Sequence, residues 1–341
     1  MRKTNSGNFL VCPLSIDVVL ALVHAGARGN TAKQLSTGLH LPECHSEREG
    51  YSLNSANKIY LQDNFKISDD FKSVAVNVFN SDIQNVNFKK NEEAANEINK
   101  WVEEQTEDKI RDLINKDDLS EDTRAVLVNA LYFNGTWVHQ FPKYATTQRP
   151  FHSTKDKAVN IDMMENTDYF GYYEDDTLKA KFLEMPYIGS DIFMTIVLPN
   201  DIEGLAELED NLPAVLTEPK YTMERVHVQI PKFKIESTIE LIPILKQLGI
   251  EDLFDDRSDL TGIGANKESL AVSKVVQKAF IEVQEAGTTA AAATAVEIVD
   301  RSGSSYYSTT TFWADRPFIF YVRFTNNSVP LFIGRVSSLV S

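Results

Sequence analysis

The sequence predicts an α+β protein, with one or more large sheets and helices packed on them. Three observations predict it. Val126 to Phe133 (VLVNALYF) is a near-continuous apolar run, as a strand covered on both faces requires. Asn96 to Ile114 keeps Ile98, Trp101, Val102, Ile110, Leu113 and Ile114 near a 3.6 period, with charges between them. The helix-like and strand-like stretches mix without regular βαβ alternation and without an internal repeat.

The elements follow in chain order. Leu14 to Ala27 reads as a buried helix ending near Gly26, and Asn96 to Ile114 as an amphipathic one. Val126 to Phe133 is a buried strand, and Ile192 to Leu198 is a second, closed by Pro199-Asn200. Val226 to Ile230 alternates apolar and polar residues and stops at Pro231. Ile239 to Leu248 reads as a helix stopped at Gly249, although Pro243 fits only near a first turn. Val275 to Glu285 is another strand. Phe318 to Phe324 and Val329 to Val336 bracket Thr325 to Ser328 as a hairpin. Gly287 to Thr311 fits none of these patterns, and uncommitted segments of that length inside a compact domain usually carry function.

At 341 residues the chain is long enough for two domains or one large one. Lys and Arg total 34 against 49 Asp and Glu, a net charge of -15. That balance disfavours nucleic acid or an anionic membrane surface as partner. No window of eighteen apolar residues exists, so no membrane-spanning helix is expected. The two cysteines, Cys12 and Cys44, are too few for a disulfide scaffold. Met1 to Gly7 turns polar after its basic pair, so a signal peptide is not expected within this chain.

Enzyme motifs are missing. The six histidines form no H-E-x-x-H, and Cys44-His45 has no second ligand pair at zinc spacing. No G-x-S-x-G, P-loop or G-x-G-x-x-G occurs. Asp252, Asp255, Asp256 and Asp259 lack the glycine and glutamate of a calcium loop and read as a surface acidic turn. No metal and no cofactor is expected. Asn134 and Asn326 stand in N-x-S/T patterns, which matter only in the secretory pathway.

Several segments, taken in order, resemble the serpin family. They are Asn8 to Ile16, Gly26 to Leu35, Asn129-Ala-Leu-Tyr-Phe-Asn-Gly-Thr-Trp137, Leu183-Glu-Met-Pro-Tyr187, Ile230-Pro-Lys-Phe-Lys234 and Phe312-Trp-Ala-Asp-Arg-Pro-Phe-Ile-Phe320. The resemblance spans the chain and implies one domain over residues 1–341, with a reactive loop near 286–311. It implies a large mixed five-stranded main sheet, two smaller sheets and surrounding helices. The family's first helix, before Asn8, and a helix after Pro42 have no room in this sequence. Residues 43–55 are acidic, which disfavours heparin binding there.

The resemblance also implies a function: a monomeric inhibitor that traps a serine protease as a covalent acyl complex. Its hinge would be Glu285, Gly287, Thr288, Ala290, Ala291, Ala292, Ala293 and Thr294. If Thr288 enters a sheet facing the core, so do Ala290, Ala292 and Thr294, all small, while Glu297 on the opposite face stays wet. Sixteen residues beyond Glu285 stands Arg301, so the reactive bond is Arg301-Ser302, suited to a trypsin-like protease. A shifted register offers Tyr306 or Tyr307 to a chymotrypsin-like enzyme. Residues matching the gate of the main sheet are Cys12, Ser15, Asn129 and Gln277, and Trp137 matches the family's tryptophan near the point where the loop enters. Cys12 and Gln277 replace the more usual serine and histidine, and Cys12 is read as a buried small residue. Arthropod members resemble the chain most, which implies an extracellular regulator of immune proteolysis; the absent leader makes a cytoplasmic protein the alternative. A non-inhibitory carrier, storage or chaperone serpin is the other reading.

Overall fold

The computed structural model describes residues 7–38, 51–189, 191–266, 270–288, 309–325 and 329–339, with the backbone alone at 51–55. The chain opens with β1 (Phe9–Val11), α1 (Pro13–Gly26), α2 (Gly29–Gly38), β2 (Tyr51–Gln62), α3 (Asp69–Phe79), β3 (Asp82–Val86), α4 (Asn91–Gln105) and β4 (Ala125–Thr136). β5 (Thr147–Thr154), β6 (Lys157–Asp175), β7 (Ala180–Pro186) and β8 (Ile192–Pro199) follow. Then come α5 (Leu205–Asp210), α6 (Leu212–Val215), β9 (Thr222–Pro231), β10 (Phe233–Glu240), α7 (Ile242–Gln247) and β11 (Lys274–Gln284). The last strands are β12 (Gly287–Thr288), β13 (Thr310–Trp313), β14 (Phe318–Phe324) and β15 (Phe332–Val336).

The main sheet has the order β10-β11-β12-β4-β2-β3. It has five long strands, with the two-residue β12 wedged at one end of the seam between β11 and β4. The second sheet runs β1-β15-β14-β8-β7-β6-β9-β13, with β5 on β6. The two smaller sheets expected from the sequence are thus hydrogen-bonded into one. The cause is β6, whose nineteen residues pair with β5, β9 and β7 in turn.

Burial explains the strand patterns. β4 is buried at every position from Ala125 to Phe133 because both faces are covered. Its Val126, Val128, Ala130 and Tyr132 pack under α4 with Ile98 and Val102. Its Leu131 and Phe133 face the second sheet, while Ala125 and Leu127 face α1. β10 alternates buried and exposed residues throughout, because only one of its faces meets the core.

Two helix predictions need correction. The Asn96–Ile114 helix is α4, which starts at Asn91 and ends at Gln105. Thr106 ends it: its hydroxyl donates to the Val102 carbonyl at 2.7 Å and accepts from the Ile110 N–H at 3.2 Å. Glu107 and Asp108 then take positive φ angles of 50° and 59°, which no helix continues through. The Ile239–Leu248 helix shrinks to Ile242–Gln247, with Pro243 in its first turn. Ile239 and Glu240 are instead the end of β10. The stop at Gly249 stands, with φ +85°. The acidic turn is also less exposed than expected: Asp252 is buried, pairs with Arg257 at 3.0 Å and accepts from Asn30.

Candidate functional site: hinge and seam of the main sheet

β11 and β4 run parallel, rung by rung, from Lys274 opposite Val126 to Phe280 opposite Tyr132. Past that point the seam forks. The chain leaves β11, turns at Glu285-Ala286, and comes back between the two strands as β12. Gly287 pairs with Gln284 and Thr136, and Thr288 with Val283 and Gly135, antiparallel on both sides. Only glycine fits the first position. Gly287 has φ +154°, and a Cβ there would lie 2.1 Å from the Gly135 carbonyl oxygen.

The fork is held from three directions. The Thr288 side chain is fully buried, and its hydroxyl hydrogen-bonds the Tyr187 hydroxyl at 2.6 Å. Burial pushes the Tyr187 hydroxyl far up, with the Thr288 bond opposing, so it stays neutral. Tyr187 stacks on Trp137 at 4.2 Å between ring centroids and meets Phe133 edge-on. The Trp137 indole N–H donates to the Gln284 carbonyl at 3.1 Å, and its backbone N–H to the Ala286 carbonyl at 3.0 Å. Glu285 accepts from the Thr146 hydroxyl at 2.9 Å and from Lys232 at 3.2 Å.

Burial alone would raise the Glu285 carboxyl. Its own backbone N–H, Thr146 and Lys232 outweigh burial and hold it below the usual carboxylate range. A depressed folded value contributes stability that is complete above the unfolded value of about 4.3 and is lost as pH falls through the lower folded one. Acidification below about pH 4 is therefore expected to loosen β12 ahead of the rest of the sheet. Amide exchange at Gly287 and Thr288 against pH checks it. Glu285→Gln should remove that extra acid sensitivity; an identical profile in both proteins rules the anchor out.

Below the fork the seam carries a buried polar network. Gln277 and Asn129 face each other across it and both are fully buried. Gln277 Nε2 donates to Asn129 Oδ1 at 2.6 Å and to the Cys12 carbonyl at 2.9 Å, while Gln277 Oε1 accepts the Cys12 N–H at 2.9 Å. Asn129 Nδ2 donates to the Ser15 hydroxyl and to Asn57 Oδ1. The Cys12 thiol takes no part in these bonds, and burial pushes it up and leaves it protonated. Gln277 alone of these side chains sits on β11.

The structure thus brings Glu285, Gly287, Thr288 and Trp137 together at the fork, and Cys12, Ser15, Asn129 and Gln277 at the gate. Ala290, Ala291, Ala292, Ala293, Thr294, Arg301, Ser302, Tyr306 and Tyr307 lie outside the described residues, as do Asn326, residues 1–6 and residues 39–50. Asn134 is a partly exposed residue of β4, beside Gly135. Four partners were missed from sequence, among them Thr146, which lies in a stretch with no motif. Tyr187 and Lys232 lie inside segments used for the resemblance, LEMPY and IPKFK, but nothing in those segments points at the hinge. Asn57 sits in a strand with no motif. Among the described residues no group of three or more His, Cys, Asp or Glu could hold a metal.

A mixed sheet whose central seam takes in the first residues of a long connecting segment defines the class. The family profile described as Serpin (serine protease inhibitor) matches residues 1–339, and the chain belongs to the serpin family. Serine protease inhibitor 42Dd of Drosophila melanogaster is 37% identical over 355 residues, spanning 99% of this chain and 93% of that protein. Antichymotrypsin-2 of Bombyx mori is 36% identical over 350 residues, spanning 97% and 92%. The solved structure of Serpin48, described as a highly specific serpin of the insect Tenebrio molitor, superposes with a TM-score of 0.92 at 40% identity, covering 99% of this chain and 93% of that one. Membership places the protein among serine protease inhibitors rather than enzymes.

Proposed function

We propose that the protein traps a trypsin-like serine protease by offering Arg301-Ser302 as substrate and then inserting the cut loop between β4 and β11. The register of β12 carries this reading. Continued antiparallel from Thr288, each loop residue would face one residue on β4 and one on β11, and these are the very pairs that face each other in the closed seam. Thr294 would meet Asn129 and Gln277; Glu297 would meet Val126 and Lys274. Insertion therefore needs no slip of either strand. The Thr294 hydroxyl can both donate and accept, so it suits the gap between Asn129 and Gln277. Glu297, expected to stay wet, would lie on the α4 side beside Lys274, whose ammonium pairs with Glu240 at 3.1 Å and Asp118 at 3.4 Å. Ala290 and Ala292 would face Phe133 and Leu131, where larger side chains would overpack the core.

Opening the seam breaks one parallel ladder, and insertion makes two antiparallel ones. The net gain of about one ladder, roughly seven to ten bonds at about 1 kcal/mol each, rivals the stability of a whole domain. The protease supplies the chemistry. Its serine oxygen attacks the Arg301 carbonyl, the Ser302 nitrogen takes a proton and leaves, and Arg301 stays esterified to the enzyme. The serpin contributes no catalytic side chain. Insertion then draws the tethered protease away and distorts its oxyanion hole before water can cleave the ester. We read the protein as a monomer acting outside the cell on this scheme.

Incubation with trypsin tests it. A complex that survives SDS is expected, with the mass of trypsin plus residues 1–301, releasing a peptide that begins at Ser302. Cleavage at Arg301 with trypsin left active, and with no gain in heat stability, would refute inhibition and favour a carrier or storage serpin. The name of the Bombyx mori relative, antichymotrypsin-2, favours a second specificity at Tyr306 or Tyr307. A released peptide beginning at Tyr307 or Ser308 after chymotrypsin treatment would select it.

A further inference from the structure

The outer face of the second sheet is covered on one side and bare on the other. Phe182, Val197 and Tyr321 lie under α5 and α6, packed with Leu208 and Val215. By register the same face continues across β6, β9 and β13 as Tyr169, Met223, Arg225, His227 and Trp313. Among the described residues no helix covers it there. Met223 is 68% exposed, Tyr169 54% and Trp313 47%, so three of the nine large apolar side chains exposed among the described residues share this one strip. Arg225 stands in register with Tyr169, exposed and without an ion pair among the described residues. The strip is ordered: His227 bonds Thr167 at 2.8 Å and presents its ring edge-on to Trp313.

The strip lies where the loop rejoins the fold. Thr310 pairs with Val226, and its hydroxyl donates to Glu224 at 2.8 Å, between Met223 and Arg225 in sequence. Arg301 is nine residues upstream, so it lies within about 30 Å of Thr310 even when fully extended. A serine protease domain of about 230 residues has a radius of gyration near ~17 Å, and hence a diameter of roughly 40 Å or more. A body of that size on so short a tether has surface within reach of the ends of β9 and β13. We propose that this strip is a second docking surface for the target protease: an apolar contact centred on Tyr169 and Met223, with Arg225 facing an acidic group of the enzyme. The inference rests on the proposed function.

The probes are trypsin and chymotrypsin whose nucleophilic serine has been replaced by alanine, so that binding stops at the encounter complex. Hydroxyl-radical labelling of the full chain should show Met223 and Tyr169 protected by at least one of them. The double variant Tyr169→Ala, Met223→Asp should associate roughly tenfold more slowly with that protease in its active form, with unchanged melting temperature and cleavage site. If the inactive proteases shield the loop but leave Met223 and Tyr169 fully reactive, the docking surface is refuted and the inhibitory reading stands. If neither protease binds at all, both are refuted.

Discussion

Thr288→Arg is expected to turn the inhibitor into a plain substrate: trypsin cleaves at Arg301, no SDS-stable complex remains, and the enzyme keeps its activity. Thr288 has no solvent exposure, and its one polar atom is spent on Tyr187. A guanidinium there would sit among Tyr187, Phe133 and Trp137, which offer no carboxylate. Glu285, three residues back, is already bonded to Lys232 and Thr146. An unpaired buried charge costs several kcal/mol, and about 3 kcal/mol already shifts the balance between inserted and expelled hinge more than a hundredfold. Acyl-enzyme hydrolysis then outruns insertion. Thr288→Ser keeps the small volume and the hydroxyl, and should retain nearly full complex yield. An undiminished yield from Thr288→Arg would mean that insertion does not begin at β12.

What the sequence made legible was whatever local chemistry decides. The apolar run of β4, the alternation of β9 and the glycine of the hinge each report a local constraint: two covered faces, one covered face, and a backbone φ of +154°. What stayed hidden depends on partners far along the chain. Nothing around Asn57 marks it as the acceptor of Asn129, seventy-two residues away, and nothing in IPKFK announces that Lys232 will hold Glu285. The helix boundaries failed for a related reason. The 3.6 period of Ile110, Leu113 and Ile114 is real, and all three are buried beneath α4, but they reach that core from a turn that Thr106 begins. Period alone cannot tell a helix from a linker folded back on one.

Gln277→Met is expected to do the largest damage at the gate while keeping its volume. It removes two bonds to the Cys12 backbone and one to Asn129, and leaves a buried N–H, C=O and amide oxygen without those partners. At about 1–3 kcal/mol per orphaned group, a loss near 4 kcal/mol follows, or roughly 6 °C in melting temperature for a chain of this length. The kinetic effect should be more specific. Ser15, Asn57 and Asn129 all lie on the α1, β2 and β4 side of the seam, so losing Ser15 weakens the network without uncoupling β11. Gln277 joins β11 to both α1 and β4. Gln277→Met should therefore speed spontaneous loss of inhibitory activity on warming far more than Ser15→Ala does, even when the two are compared at temperatures equally far below their melting points. Equal rates under that comparison would show that the network stabilises the fold without gating the seam.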